Sequence, residues 1–343
     1  MIVIGADTHK ATHTCAAVTA GIGELLGSKT VPARKEGFGT LLRWARGLDA
    51  ERTWAIEDCR HVSGGLERFL IARGERVIRV APKLTAGSRT TARERGKSDE
   101  IDALAVARVA LREGLDKLPA AFLDPEARAI KLLNEHRECL VQERTRRQNR
   151  LRWLLHDRWP ELEIPAQGLD RPRWLDKITR RLGRAEQAAD IRICKDLVRE
   201  IRSATRQINS LERELATLVA DRAPQLLALP GCGPMTAATI IAETAGPGRF
   251  STDAKLARTA GVAPIPASSG NRQRHRLDRG GNRKLNCALH RIAVTQGRWH
   301  PPATAYLERR QAEGKTRKEA LRALKRHLAR TIWNLTQTTT PLT

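Results

Sequence analysis

The sequence predicts an α/β domain followed by a mostly helical remainder. Three observations carry that reading. Within residues 1–124, three short apolar runs come in succession and give way to alternating helical and strand-like patterns. Between residues 194 and 218, apolar residues recur every three or four positions without a break. Beyond residue 222 the pattern is again helical, but punctuated by glycine, proline and many arginines. The segments so drawn are 1–124, 125–222 and 223–343, and 343 residues suffice for several separate cores.

The first run, Ile2-Val3-Ile4-Gly5-Ala6-Asp7, reads as a strand ending in an acid. Residues 12–19 and 25–31 are further strands, with a hairpin turn at Gly21 and Gly23. Phe38, Leu41, Leu42, Ala45 and Leu48 then recur at helical spacing. A fourth strand covers 53–57 and ends in Glu57, a second helix covers 66–72, and a fifth strand, 76–80, is closed by Ala81-Pro82. The segment 98–112 is a helix with Ser98 as N-cap and Ala103, Leu104, Ala107 and Leu111 as its apolar stripe.

Three meandering strands, then helix, strand, helix, strand and helix, is the order of an RNase H-like fold, whose sheet sets strands one and four side by side. Asp7 and Glu57 then lie at the same end of neighbouring strands, about 5 Å apart. Asp99 and Asp102, three positions apart, project from one helical face. Four converging carboxylates repel and raise one another's pKa unless a cation compensates them. Two magnesium ions about 3.5–4 Å apart would do so and would clamp the attacking and leaving oxygens of a phosphoryl transfer. The competing reading makes Asp99 and Asp102 ordinary acids at the positive end of a helix. Asp58 and Glu100 read as solvated; His9 and Lys10 face either the site or the surface.

The formal net charge is +24, and polyanions, nucleic acid first, are the natural partners of such a surface. The charge is unevenly placed. Residues 1–124 hold 20 Lys and Arg against 16 Asp and Glu, a net +4, which leaves +20 for residues 125–343. An acidic site in a nearly neutral domain is thus expected beside a polyanion grip elsewhere. Six cysteines (Cys15, Cys59, Cys139, Cys194, Cys232, Cys287) include no C-x-x-C pair, so neither zinc nor disulfides are expected. With no secretory signal and no apolar stretch of membrane-spanning length, the expectation is a cytoplasmic protein without a membrane partner.

In the middle segment, Cys194, Leu197, Ile201, Ala204, Ile208, Leu211, Leu215 and Leu218 form a heptad seam, and Ile130, Leu133, Leu140, Leu151 and Leu154 fit the same spacing upstream. An antiparallel helical pair or an intermolecular coiled coil follows, serving spacing and oligomerisation. Residues 144–152, with Arg144 and Arg147, form a basic face that holds a nucleic-acid backbone or is simply solvated. The connection 160–172 bears Pro and Gly and reads as mobile. In the last segment, residues 226–238 resemble a helix-hairpin-helix, whose turn at Gly231 and Gly233 offers backbone N–H groups to a phosphate. A plain helix-turn-helix packing element is the alternative. Ser268-Ser269-Gly270 is followed by Arg272, Arg274, His275, Arg276, Arg279, Arg283 and Lys284. A hydroxyl among such cations can attack a phosphodiester, although Ser-Ser-Gly alone is an ordinary loop.

Taken together, these elements resemble the DEDD insertion-sequence transposases, the IS-110 group of RNA-guided recombinases. The resemblance rests on Gly5-Ala6-Asp7-Thr8, Ala55-Ile56-Glu57 and Lys97-Ser98-Asp99-Glu100-Ile101-Asp102-Ala103 at the front. At the back it rests on Leu229-Pro230-Gly231-Cys232-Gly233-Pro234, Arg249-Phe250, Leu256-Ala257-Arg258-Thr259-Ala260-Gly261 and Ser269-Gly270. It implies a RuvC-like first domain, a coiled-coil insertion and a C-terminal transposase domain. It further implies that Asp7, Glu57, Asp99 and Asp102 hold magnesium, and that Ser269 is a nucleophile forming a transient covalent link to DNA. Ser268 is a second hydroxyl at a position where the family does not need one. The family's active site is composite, built by different subunits of a tetramer assembled from dimers, and a structured RNA pairs with target and donor DNA. Two rival readings remain: a RuvC-like nuclease or junction resolvase using metal-activated water, and a catalytically idle nucleic-acid-binding scaffold.

Overall fold

The computed structural model describes residues 1–57, 60–82, 84–85, 98–121, 124–244, 249–267, 275–276, 278 and 280–337. Contacts divide the chain into two compact units, one built on Met1–Asp124, the other on Pro125–Pro247 and Thr252–Thr343.

The first unit comprises β1 (Ile2–Thr8), β2 (Thr12–Thr19), β3 (Leu25–Pro32), α1 (Lys35–Leu48), β4 (Arg52–Glu57), α2 (Arg60–Ile71), β5 (Arg76–Val80) and α3 (Asp99–Glu113). Its sheet runs β3-β2-β1-β4-β5, with β1, β2 and β3 antiparallel and β4 and β5 parallel to β1. This mixed five-stranded order is that of the RNase H-like fold. Every residue of β1 is buried, because both faces of the sheet are covered. Ile2, Ile4 and Ala6 pack with Phe38, Leu41, Leu66 and Leu70 on the side of α1 and α2. Val3 packs with Ala55, Ile78, Val106 and Ala107 on the side of α3. The two-residue period of a strand therefore sends Asp7, in step with Val3 and Gly5, to the α3 side. Glu57, in step with Ala55, follows it.

The second unit comprises α4 (Pro125–Arg158), a 3-10 turn (Gly168–Asp170), α5 (Pro172–Arg184), α6 (Ala189–Arg222), α7 (Pro224–Leu227), α8 (Pro234–Thr244) and α9 (Asp253–Thr259). A short hairpin, β6 (Ile265–Pro266) and β7 (His275–Arg276), precedes α10 (Arg283–Trp299), α11 (Pro301–Ala312) and α12 (Arg317–Gln337). Cys194, Leu197, Ile201, Ala204, Ile208 and Leu215 are buried as the seam requires, whereas Leu211 and Leu218 are half-buried and Val219 takes the last core position. Facing it, α4 buries no residue between Asn134 and Leu151. Ion pairs Arg137–Glu212 and Arg147–Glu200 and a hydrogen bond from Arg144 to Thr205 join the two helices there instead. Partner numbers rise on one helix as they fall on the other, so α4 and α6 are antiparallel.

The connection 160–172, expected to be mobile, packs against the helices beside it. Leu169 is 1% exposed and packs with Leu151, Leu155, Leu175 and Ile178. Arg152 donates to the Ile164 carbonyl, which ties the loop down. Among the described residues, no helix is long and apolar enough to cross a membrane.

Candidate active site

Three local devices bring carboxylates to one end of the first unit's sheet. The parallel register pairs Ala6 with Ile56, so Asp7 and Glu57 occupy the next positions on adjacent strands. The Ser98 hydroxyl accepts the Ile101 N–H and starts α3 there, with Asp99 and Asp102 in its first turn. Gly5 then lets α3 lie directly on β1: a Cβ at position 5 would collide with the backbone of Ala103 and Ala107.

The result is a cluster in which one ligand atom each from Asp7, His9 and Asp99 lie within 4.8 Å of one another. His9 Nε2 sits 3.1 Å from Asp7 Oδ2 and 3.4 Å from Asp99 Oδ1. Asp7 and Asp102 are buried, and Asp99 is half exposed at 53% of its side chain. Burial pushes the Asp7 carboxyl up from its ordinary range; Asp102, Asp99 and Glu57 push it the same way, and only His9 opposes them. Glu57 accepts a 2.6 Å hydrogen bond from the Thr85 hydroxyl. Thr8, beside Asp7, has a buried hydroxyl without a partner among the described residues.

This donor set fits a hard divalent cation. It consists of carboxylate oxygens, one of them buried, held close to like charges with a single imidazole to offset them. His9 is thus at the site rather than on an unrelated surface, whereas Glu100 turns away to accept from Ser28. Thr85 could not be found from sequence, since nothing near residue 85 announces a partner 28 positions earlier.

The remaining expected residues fall elsewhere. Ser268, Ser269, Arg272, Arg274 and Arg279 lie outside the described residues, as does Asp58. Arg276 is exposed on β7. Arg144 is engaged by Thr205 and Asp170, and Arg147 by Glu200 and Glu143. Lys284 pairs with Glu138 at 2.9 Å and Glu135 at 3.5 Å. In the turn between α7 and α8, Gly231 packs against Thr295 and Ile292 of α10, and Gly233 is exposed where α8 begins. Burial pushes the Cys194 thiol up to about 11 and Cys232 to about 12, so neither is a nucleophile near neutral pH.

Strand order and acid cluster place the first unit among RNase H-like proteins. A family model described as "Transposase", of the DEDD and IS110 type, matches residues 4–160. A second, "Transposase IS116/IS110/IS902 family", matches residues 223–308. The chain is 28% identical to the uncharacterized 44.8 kDa protein of insertion element IS116 from Streptomyces clavuligerus, covering 97% of this chain and 94% of that protein. It is 25% identical to the uncharacterized 42 kDa protein of insertion element IS900 from Mycobacterium paratuberculosis, covering 96% and 94%. The chain belongs to this family of insertion-sequence transposases. A solved structure, T. thermophilus RuvC in complex with Holliday junction substrate, aligns with 35% of this chain and 99% of its own at 15% identity. Its TM-score of 0.29 is too low to bear weight, and the fold rests on the strand order.

Proposed function

We propose that this transposase, guided by a structured RNA, cleaves and exchanges DNA strands using a magnesium-binding carboxylate cluster and Ser269 as nucleophile. The observation that carries the reading is the convergence of Asp7 and Asp99 on one point, with Asp102 and Glu57 close enough to raise the Asp7 pKa. In this reading Asp7, Glu57, Asp99 and Asp102 hold magnesium, which when bound stabilises charge on the phosphoryl oxygens. His9, 3.1 Å from Asp7 and 3.4 Å from Asp99, keeps the carboxylates together.

Ser269 Oγ bonds to phosphorus as the phosphodiester P–O bond to the adjoining sugar breaks, and the departing sugar oxygen takes up a proton in place of the one that the serine gives up. The phosphoserine conserves the energy needed to rejoin strands, which hydrolysis would dissipate. The basic segments 125–222 and 223–343 hold DNA and RNA, with Arg144, Arg147, Gly231, Gly233, Arg272, Arg274, Arg276, Arg279 and Lys284 as contacts. For Arg144, Arg147 and Lys284 this requires exchanging a carboxylate partner for a phosphate. The working assembly is a homo-oligomer, a dimer that builds a tetramer.

Ser269→Ala tests the reading on a DNA substrate with co-purified RNA. Loss of strand exchange and of any covalent protein–DNA species is expected. Cleavage that survives Ser269→Ala but needs magnesium and Asp7 would instead make the protein a RuvC-like nuclease or junction resolvase. That second reading is supported by the convergence of Asp7 and Asp99, which involves no serine. Sequencing the co-purified RNA tests guidance; a single structured species abutting the gene is expected.

A further inference from the structure

The second unit holds a cavity of about 470 Å3 between α11, α12 and the β6–β7 hairpin, within the range of about 300–1,000 Å3 that small ligands occupy. Its wall is cationic in an unusual way. Three carboxylates line it, and each is already engaged locally. Glu313 pairs with Arg310, Glu319 accepts from the Thr316 N–H and hydroxyl in a capping box, and Asp278 accepts the Gly280 N–H. Among the described residues, Arg276 and Lys325 have no carboxylate partner within ion-pair distance, while Lys315 and Arg322 both act on Glu319, Arg322 at 3.8 Å.

Lys325 is the telling group, because it is only 7% exposed. Its Nζ donates to Asn286 Oδ1 at 2.9 Å, and Asn286 is fixed by donating from Nδ2 to the Ala260 and Gly261 carbonyls. One of three ammonium N–H groups is thereby used. Burial and the nearby Arg322 hold the Lys325 ammonium below its ordinary range, so its charged form is disfavoured until an anion sits against it.

We propose that this cavity receives the phosphate of one unpaired nucleotide, held by Lys325, Arg322, Lys315 and Arg276. A phosphate offers several acceptor oxygens to several donors at once, and a cavity of this size admits a single nucleotide while excluding a double helix. The proposal rests on nucleic acid being the partner but not on the carboxylate cluster or on Ser269. It gives the second unit a seat for a strand that has been opened, rather than a general affinity for duplex.

The test measures fluorescence anisotropy of a labelled single-stranded trinucleotide with the full-length protein, without divalent cation. Lys325→Gln, Arg322→Gln and Lys315→Gln are each expected to weaken binding about tenfold or more. Lys318→Gln, an exposed site outside the cavity with the same charge change, is expected to weaken it less than about twofold. Inorganic phosphate should displace the trinucleotide, and a nucleoside lacking phosphate should not. Should Lys325→Gln fail to fold, Lys315→Gln on the half-buried rim decides alone. Equal losses for Lys318→Gln, no loss for the cavity variants, or displacement by the nucleoside instead of phosphate would each overturn the proposal. Asp7→Asn should retain this binding while losing cleavage, so failure of one reading does not imply failure of the other.

Discussion

At position 5 even one methyl group would strike the backbone of α3, because the helix crosses β1 directly above it. Gly5→Ala therefore lifts α3 from the sheet. It is expected to cost at least about 1–3 kcal/mol and to separate Asp99 and Asp102 from Asp7; thermal melts and DNA cleavage assays read the two effects. Asp7 makes the opposite case, a native residue that destabilises. Its pKa is raised, so its favourable contribution is full below the ordinary carboxyl value of 3.8 and is lost as pH rises through the raised value. Without cation, the melting temperature should fall across that window. Asp7→Asn should raise it at neutral pH, and magnesium should stabilise the wild type but not the variant. Scanning fluorimetry at two pH values with and without magnesium checks all three outcomes. Neither residue's role was fully legible beforehand. The Asp at a strand end announces itself, whereas the glycine two positions earlier gains its meaning only from a helix nearly one hundred residues away.

Between elements, buried ions and exposed ions do different work. Glu67 of α2 and Arg79 of β5 form a bidentate pair with both residues buried. Glu67→Gln removes the negative charge from this buried pair and is expected to cost about 3 kcal/mol in denaturant melts. For Glu75, burial would raise the carboxyl, but hydrogen bonds from Arg52, Trp54 and Arg46 outweigh it and hold the pKa below 4.5. That contribution is present above the ordinary value and is lost as pH falls through the depressed one, so Glu75→Gln should flatten the acid limb of the stability profile. Along α4 and α6 the order reverses. Arg137→Ala, at a half-exposed pair, should cost about 1 kcal/mol or less, and Ile201→Ala about 2–5 kcal/mol. This contrast explains what the sequence could and could not tell. The α6 seam is continuous because hydrophobic burial holds it. The α4 pattern fades between residues 134 and 151 because charges hold it, and charges leave no period. The strands of the first unit read cleanly because they are five to eight residues long. β6 and β7, of two residues each, are too short to show alternation.

For the molecule as a whole, formal charge overstates its grip on polyanions. Of the +24, a part is spent inside the second unit, at Arg144, Arg147 and Lys284 among others. The slope of log affinity against log salt should therefore fall short of one counterion per basic residue. Substituting Arg276, which has no partner among the described residues, should reduce it by about 0.7–0.9; titrations at several salt concentrations measure this. The parallel seating of β1 beside β4 has a consequence for biosynthesis. The acids at the sheet's end come from residues 7, 57, 99 and 102, and α3 is seated only when residues near 110 have left the ribosome. A nascent chain, or one cut short before that point, holds its first acid with nothing to complete it. A product truncated before that point is thus expected to show no DNA cleavage.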